Sequence, residues 1–502
     1  MGAQCMNAIF VTQGNYALFY LDLLPLLKQK VTLDHIGFYV TDKPNFPRYL
    51  ESANNSKLKV EFLKGWEIVP AAGEKADLDY LKNIESEFGE PFLWNALVMD
   101  RRVYNGVLTK FKQDYKPRFT HRQMLALLQR SFRDVLEFIE NIRPDIIIGG
   151  FTPVTMTEYI FYRCAKARGI KYINLNPTKI RNCVTFSEEI YREFPHIRKD
   201  YEKYLNQAKE NSFLAKAREY MQTRDRKYEG VIVSCPKFPY RNFFVGALKC
   251  PFVMAKYYLK KAYLDNEIKG YQWGYYYKNI HNPLKDKFLR MALPYFPAEK
   301  LKRLEYAYYP LHVEPEIALS LFGREYLNQI ELIRNIAKSI PLTWKLLVKD
   351  HPAGVGRRNI GYYKKLLEIP NVVLASHYAD SSAVIKNAKI VFTVSGFSGF
   401  EAILEKKPVI TFGKTFYDIL PESIVRHVSS LDRLPDIVSE LLNDYRYSEK
   451  ETVCLIASIM KNSVPLNLYE NVLNKKERIT VDNKTFDDQK RKFVEYMLRW
   501  IN

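Results

Sequence analysis

Apolar residues recur along the chain in two alternating patterns. Unbroken runs such as NAIFV from Asn7, DIIIGG from Asp145 and IKYINL from Ile170 stand next to stretches whose apolar residues have helical spacing. Short runs rich in Ile, Val and Phe are typical of strands buried on both faces, which occur in parallel sheets covered by helices. The pattern predicts a first α/β domain over residues 1–195.

The same alternation returns after Leu311. Strand-like runs at LTWKLLV, NVVLAS, KIVFTV and PVITFG are separated by stretches with helical spacing. This repetition predicts a second doubly wound domain over residues 309–465, followed by an amphipathic helix within 466–502. A chain of 502 residues is long enough for both domains. The predicted fold class is therefore α/β, with two Rossmann-like doubly wound domains that face a cleft.

Residues 196–308 break this pattern. They are rich in Lys, Arg, Tyr and Phe, in runs such as KFPYRNFF, AKYYLKKAYL and KGYQWGYYYKNIH. One interpretation is a helical basic and aromatic connector whose rings pack between the domains. The other is a surface that rests on anionic lipid, with Lys and Arg at headgroup level and Tyr and Trp at the boundary. The sequence leaves both interpretations open.

The overall charge narrows the class of partner. Lys and Arg number 76 against 56 acidic residues, which gives a net charge of +20 and favours phosphates, nucleic acid or an anionic membrane face. No recognised nucleic-acid-binding module is present, which argues against nucleic acid. The six cysteines form no CxxC pair, and neither a secretion signal nor an apolar run of spanning length is visible. We expect a cytoplasmic protein, with a peripheral position on the inner face of the cell membrane as the membrane-bound alternative.

The segment TVSGFSGFEA carries the strongest candidate chemistry. A buried strand ends in Ser395, Gly396, Ser398 and Gly399 and continues directly into a helix. Backbone N–H groups and hydroxyls would meet at the positive end of that helix, which suits a phosphate. Glu401 follows closely and could accept hydrogen bonds from ribose hydroxyls. The alternative is that the glycines only permit a tight turn, while Glu401 offsets the helix dipole.

A second candidate is VKDHP, at the end of another predicted strand. Lys349, His351 and Pro352 would lie at the sheet edge where open α/β sheets bind ligands. Lys349 would supply fixed positive charge, and His351 would hydrogen-bond or protonate a leaving phosphate. A capping histidine before a turn is the simpler explanation of the same residues.

A third candidate is YPLHVEPE, at the entrance to the second domain. His312 and Glu314 precede a helix that begins with proline, and we expect them at a strand end that points at the cleft. The alternative is a capped helix start without function.

The three elements together resemble the bacterial capsule polysaccharide biosynthesis family, which includes Kdo-transferring capsule linker enzymes. The resemblance covers roughly residues 309–418. The His-Pro and Ser elements also resemble the paired motifs that bind CMP in bacterial sialyltransferases of GT-B architecture. By this resemblance His351 and Pro352 correspond to the His-Pro element, Ser395 and Ser398 to the Ser element, and Glu401 to the glutamate that begins the next helix.

The resemblance implies a GT-B glycosyltransferase. The second domain would hold a nucleotide sugar, with a CMP-activated acidic sugar such as Kdo as the first choice and UDP-linked or CDP-linked donors left open. The acceptor, a surface polysaccharide or its glycolipid precursor, would bind the first domain. The terminal helix would return to that domain, as it does in related two-domain transferases. No DxD metal motif is apparent in a suitable loop, so neither a metal nor another cofactor is expected.

The acidic base motif that is usual in the sialyltransferases, two carboxylates followed by glycine, is not found plainly in the first domain. Asp100, flanked by Arg101 and Arg102, is the first candidate for the base, and Glu158 is the second. An ordinary carboxylate paired with arginine is the alternative for each.

Two further classes of protein remain open. A teichoic-acid-type glycerophosphate or polyol-phosphate transferase would carry the same His-Pro and Ser elements. A non-catalytic protein with the same two domains would bind nucleotide without consuming a donor.

Overall fold

The first sheet contains most of the strands of the N-terminal half. In the computed structural model, the described residues are 5–100, 103, 119–207, 209, 211–223, 240–259, 276–314, 316–351, 354, 356, 358–473 and 480–501. The strands of the first sheet are β1 (Cys5–Val11), β2 (Thr32–Val40), β3 (Lys59–Lys64), β4 (Ile146–Gly149), β5 (Lys171–Pro177) and β6 (Cys183–Ser187). The order across the sheet is β3-β2-β1-β4-β5-β6, and all neighbours are parallel except β6, which runs antiparallel to β5.

Helices cover both faces of this sheet. They are α1 (Asn15–Lys28), α2 (Phe46–Ser56), α3 (Leu78–Phe88), α4 (Trp94–Met99), α5 (His121–Ile142) and α6 (Met156–Ala167). Capping boxes start two of them: Thr120 with Gln123 begins α5, and Thr155 with Glu158 begins α6. Each box satisfies N–H groups that a helix start would otherwise leave without a partner.

The second sheet has the strand order of a dinucleotide-binding fold. Its strands are β7 (Tyr295–Phe296), β8 (Tyr306–Pro310), β9 (Lys345–Lys349), β10 (Val372–Ala375), β11 (Ile390–Thr393), β12 (Val409–Thr411) and β13 (Val425–His427). They lie in the order β13-β12-β11-β8-β9-β10-β7, and every pair is parallel. Counted from β8, this is the order 3-2-1-4-5-6 of Rossmann folds, with β7 added at one edge. Two doubly wound domains were predicted, and the architecture confirms them.

The remaining helices belong largely to the second half of the chain. They are α7 (Pro195–Leu205), α8 (Ser212–Thr223), α9 (Tyr240–Leu259), α10 (Asn282–Ala292), α11 (Ile317–Ser320), α12 (Gln329–Lys338), α13 (Ile360–Leu367), α14 (Ser381–Asn387), α15 (Phe397–Leu404), α16 (Leu434–Asp444) and α17 (Glu449–Lys461). Side chains of α7, α8 and α17 share one buried cluster with β8, β11 and α15. Much of the segment expected to be a connector is therefore part of the second domain's core, and β7 extends that domain's sheet.

The end of the chain returns to the first domain. Strand β14 (Val464–Pro465) pairs antiparallel with β6 and adds a seventh strand to the first sheet. After α18 (Leu468–Asn471), helix α19 (Asn483–Ile501) packs against α1, and the ring of Phe493 lies 5.6 Å from Phe19 and 5.5 Å from Phe186 between centroids. The return of the terminal helix, expected from the resemblance, is thus present. It ties the two domains together because the chain crosses between them twice.

The contact of α19 with the first domain should contribute strongly to stability. Phe493 is fully buried, so Phe493→Ala is expected to lower the free energy of unfolding by about 3–5 kcal/mol through lost burial and a remaining cavity. Urea denaturation measures this change. Lys492→Ala, at the exposed neighbouring position, should change it by no more than about 0.5 kcal/mol. Equal effects of the two variants would show that α19 does not pack as described.

Candidate functional site

The centre of the second sheet is a topological switch point. Strands β8 and β11 are neighbours in the sheet. The next strand along the chain after β8 is β9, which lies on one side of this pair, and the next strand after β11 is β12, which lies on the opposite side. The loops that follow β8 and β11 therefore separate at their carboxyl ends and leave a crevice. Open α/β sheets bind ligands at this position. His312 follows β8, and the turn from Val394 to Gly396 follows β11.

The backbone of His312 is fixed by Gln329. The N–H of His312 donates to Gln329 Oε1 at 2.9 Å, and Gln329 Nε2 donates to the carbonyl of His312 at 3.2 Å. Both side chains are buried. The histidine is thereby held in one position at the end of β8.

The imidazole of His312 connects β8 to the turn after β11. The N–H of Val394 donates to His312 Nε2 at 3.3 Å, and the hydroxyl of Thr393 lies 3.4 Å from the same nitrogen. Since a backbone N–H can only donate, Nε2 must accept, and in a neutral ring the proton is then on Nδ1. Thr393 Oγ1 in turn accepts from the N–H of Gly396 at 3.0 Å.

The surroundings of His312 favour a neutral ring and a bound anion. Burial, together with the nearby groups His351, Arg192 and Arg358, lowers the pKa of His312 to about 3. The guanidinium groups of Arg192 and Arg358 thus act on the buried imidazole. A negatively charged group at this place would be stabilised by both of them.

The turn after β11 leads into α15 without a capping side chain. Gly396 is the N-cap residue, and no side chain hydrogen-bonds to the first turn from this position. Side chains cap α3, α5, α6, α13, α14 and α17, whereas α15 shares an uncapped start with other helices such as α1, α7 and α12. The positive end of α15 therefore begins with a glycine backbone at the N-cap, and the half-buried Ser398 lies in its first turn.

Glycine is required at two positions of this turn. A methyl group on Gly396 would lie 2.7 Å from Thr393 Oγ1 and 3.1 Å from the ring of His312. A methyl group on Gly399 would overlap the hydroxyl of Tyr417, which donates to the carbonyl of Gly396 at 2.7 Å. Gly396 therefore permits close packing against the imidazole, and Gly399 permits the close contact with Tyr417.

Ser395 forms hydrogen bonds with neighbouring segments of the chain rather than lining the crevice. It is almost completely buried, and its hydroxyl donates to the carbonyl of Ala318 at 2.9 Å. Its own carbonyl accepts a hydrogen bond of 2.7 Å from Nη1 of Arg192, which belongs to the first half of the chain. The Arg192 guanidinium also lies 4.3 Å from the centroid of the Phe322 ring. These contacts join the two halves of the chain beside the switch point, and burial lowers the pKa of Arg192.

A buried ion network lies beneath the site. Arg358 donates to Asp350 Oδ1 and to the carbonyl of His312, and its Nε lies 3.9 Å from Glu314 Oε2. Glu314 also accepts from Gln329. Burial raises the pKa of Glu314 to about 7, while the charge of Arg358 acts in the opposite direction. This network fixes the loops after β8 and β9 to each other.

The structure brings some of the predicted donor-binding residues together at the switch point and places the others elsewhere. His312, Ser395, Gly396, Ser398 and Gly399 come together at the switch point, and His351 is close enough to act on the charge of His312. Glu314 lies in the ion network. Lys349 is buried, and its ammonium donates to the hydroxyl of Ser381 at 3.0 Å. Pro352 lies outside the described residues.

Glu401 is half-buried on α15. Its carboxylate is near the buried phenol of Tyr308, whose pKa is raised by burial and secondly by the charge of Glu401.

The two candidates for the base share one helix end in the first domain. Asp100 is 1% exposed, and its Oδ2 accepts from the N–H of Met156 at 3.0 Å, at the first residue of α6. Glu158 is 4% exposed and accepts from the N–H groups of Val154 and Thr155 and from Gln13, which follows β1. Both carboxylates hold the start of α6. Arg101 and Arg102 lie outside the described residues.

No cluster of three or more His, Cys, Asp and Glu side chains with metal-binding geometry is found in the described residues. Among the helices of that same part of the chain, none combines the length and hydropathy needed to cross a membrane.

The fold and the site define a two-domain α/β protein with a ligand crevice at the second sheet. Residues 248–423 match the family of capsule polysaccharide biosynthesis proteins, which confirms the resemblance drawn from the sequence. The match and the two-sheet architecture support the expected class of enzyme, a glycosyltransferase. A comparison with curated protein sequences finds no significant relative.

A comparison with solved structures finds several matches of low identity. KpsC, the beta Kdo 2,7 transferase of Thermosulfurimonas dismutans, is 11% identical, with 74% of this chain and 90% of that chain covered and a TM-score of 0.35. A glycosyltransferase of Rickettsia africae is 10% identical over 100% of both chains, with a TM-score of 0.28. UDP-GlcNAc 2-epimerase of Neisseria meningitidis, solved with UDP-GlcNAc, is 12% identical, with 98% and 100% covered and a TM-score of 0.28.

The altered pKa of His312 predicts a specific dependence of stability on pH. Between about pH 6.5 and pH 3 the unfolded chain binds a proton at His312 that the folded chain does not bind, so this residue lowers stability as the pH falls through that range. His312→Gln keeps a hydrogen-bond acceptor but cannot titrate. Denaturation at a series of pH values should show the wild type losing stability relative to this variant upon acidification. A difference between the two proteins that stays constant from pH 7 to pH 4 would contradict the burial and hydrogen bonding of the ring.

Proposed function

We propose that this chain is a glycosyltransferase that moves a sugar from a nucleotide donor to a capsular or other surface polysaccharide, or to its lipid-linked precursor. The first choice of donor is a CMP-activated acidic sugar, such as Kdo or a sialic-acid-like sugar. The observation that carries the proposal is the uncapped start of α15 beside the neutral His312, at the switch point of a Rossmann-ordered sheet.

The chemistry of transfer explains why such a site is suited to the reaction. As the bond between the sugar and the phosphate breaks, negative charge accumulates on the departing phosphate. Fixed N–H groups at the start of α15 and the positive charges of Arg192 and Arg358 would stabilise it, and preorganised groups of this kind are worth about 3–4 kcal/mol when one donor is lost. His351 would donate a hydrogen bond or a proton to the phosphate. The proposal requires no metal.

The acceptor side of the proposal rests on the first domain. Its own switch point lies between β1 and β4, and the start of α6, where Asp100 and Glu158 lie, is close to the ends of these strands. A base at this position would take the proton of the acceptor hydroxyl. We propose that the protein works at the inner face of the cell membrane, where a lipid-linked acceptor would be available.

Nucleotide binding tests the donor site. CMP is expected to raise the melting temperature in a thermal shift assay more than UDP, CDP-glycerol or RNA. His351→Ala and Ser398→Ala should each weaken CMP binding about tenfold, because each removes one hydrogen bond to a charged phosphate. His121→Ala, at an exposed histidine of the first domain, serves as the control and should bind CMP as the wild type does. Selective stabilisation by CDP-glycerol would instead favour a glycerophosphate transferase, and binding that is insensitive to both substitutions would contradict the site.

The role of Asp100 can be separated from its structural contact. Asp100→Asn keeps an oxygen that accepts from the N–H of Met156 but cannot act as a base, whereas Asp100→Ala loses both properties. If Asp100 is the base, both variants should lose about 10²–10⁴-fold in the rate of donor-dependent transfer, measured in the presence of EDTA. Near-normal transfer by Asp100→Asn would rule out Asp100 and leave Glu158, for which Glu158→Gln is the corresponding variant. Loss of wild-type transfer in EDTA with recovery upon adding magnesium would contradict metal independence.

A further inference from the structure

Exposed apolar side chains are concentrated on two helices. Of the 13 large hydrophobic residues that are exposed in the described chain, eight lie on α9 and α10, which together contain only 31 residues. The eight are Phe244, Val245, Leu248, Phe252, Leu259, Leu284, Phe288 and Met291. Scattered exposed apolar residues are ordinary in proteins, but a concentration of this kind marks an interaction surface.

On α10 the exposed apolar residues form one stripe. Leu284, Phe288 and Met291 are spaced by four and three positions, so they lie on the same side of the helix. Asp286 and Leu289, on the other side, are buried against the second domain. The helix thus has an inner face that packs and an outer face that is apolar and exposed.

Helix α9 also has an exposed apolar stripe on one side, and the stripe extends over more helical turns. Phe244, Leu248, Phe252 and Leu259 recur at intervals of four or seven residues and are 61%, 74%, 78% and 81% exposed. The buried Cys250 lies about 160–240° around the helix from these four residues at about 100° per residue, which is the opposite side.

Helix α9 packs against the π-helical turn that precedes α10, and α10 is anchored to the second domain. A methyl group on Gly246 of α9 would lie 2.9 Å from the side chain of Asn279, in the turn that leads into α10. Helix α10 is fixed through Asp286, whose Oδ1 lies 3.2 Å from Nε2 of His377, two residues after the end of β10. The outer stripes therefore lie on elements attached to the carboxyl edge of the second sheet, the same edge that carries the proposed donor site.

We propose that the outer stripes of α9 and α10 form a docking face that rests on the surface of an anionic lipid bilayer. The charges on these helices favour an anionic lipid bilayer as the partner. Helix α9 contains no acidic residue, and its exposed residues Lys249 and Lys256 lie at one border of its apolar stripe. On α10 the one acidic side chain is buried, while Lys287 is exposed. Apolar side chains bordered by lysines are the arrangement of helices that lie in a membrane interface, because the rings and aliphatic groups enter the acyl boundary while the ammonium groups stay among anionic headgroups.

The charge of the whole chain acts in the same direction. A net charge of +20 draws the protein toward an anionic surface, and the apolar stripes then supply contact that salt does not screen. Docking through this face would hold the carboxyl edge of the second sheet close to the bilayer, where a lipid-linked acceptor would be located. This proposal deepens the proposed location at the membrane and does not depend on the identity of the donor.

Vesicle binding tests the docking face. The full-length chain, without nucleotide, is mixed with vesicles of equal parts phosphatidylglycerol and phosphatidylcholine, or of phosphatidylcholine alone, and sedimented. The wild type should bind the anionic vesicles at least about tenfold more strongly than the neutral ones. The double variant Leu248→Ser/Phe252→Ser and the single variant Phe288→Ser should each weaken binding to anionic vesicles by about tenfold or more, with unchanged melting temperatures, since these side chains are exposed.

Leu342 provides the matched control. It is 99% exposed and lies away from both helices, so Leu342→Ser should bind vesicles as the wild type does. The proposal is overturned if the stripe variants bind as the wild type does, if Leu342→Ser is equally impaired, or if neutral vesicles bind as strongly as anionic ones. It is also overturned if the wild type is a dimer in solution that Leu248→Ser/Phe252→Ser dissociates, because the face would then belong to a second copy of the chain. Since no donor is present, failure to bind CMP would leave this result unaffected.

Discussion

The hydrogen bond from the N–H of Val394 to the imidazole of His312 connects the two strands that separate at the centre of the second sheet. It can form only while the ring is neutral at Nε2, which burial and the surrounding positive charges ensure. The same positive charges would repel a protonated histidine and attract a phosphate. Stability of the crevice and affinity for an anion thus arise from a single electrostatic arrangement, and the glycines at 396 and 399 allow the backbone to close around it.

The contact between the two halves of the chain is made at the same edge. Arg192 donates to the carbonyl of Ser395, and Leu321 and Phe322 pack into a buried cluster that otherwise belongs to the first domain. On the far side, β14 and α19 return to the first domain, so the chain links the domains twice. A ligand in the crevice would therefore lie next to the interdomain contact, where its binding can be sensitive to the relative position of the domains.

Much of this architecture could be predicted from the sequence, because strands, helices and turns produce local patterns of apolar and small residues. Runs such as DIIIGG and KIVFTV identified buried parallel strands, and the small residues after β11 identified the turn into α15. Residues placed by long-range contacts were beyond this reasoning. Arg192 has a left-handed backbone conformation and meets Ser395, 203 positions away, while Arg358 is charged but completely buried between Asp350 and Glu314. Charged residues are rarely buried, so no sequence pattern points to such positions. Strands β7 and β14 were missed for a related reason, since two-residue strands are defined by their partners rather than by their own composition.

The central claim is that a nucleotide phosphate binds at the start of α15. A crystal structure of the protein with CMP tests this claim most directly. The account predicts the phosphate within hydrogen-bonding distance of the backbone N–H groups that follow Gly396, next to His312 and on the side of the crevice faced by His351. A nucleotide bound instead at the ends of β1 and β4 in the first domain, with the start of α15 occupied only by water, would contradict it.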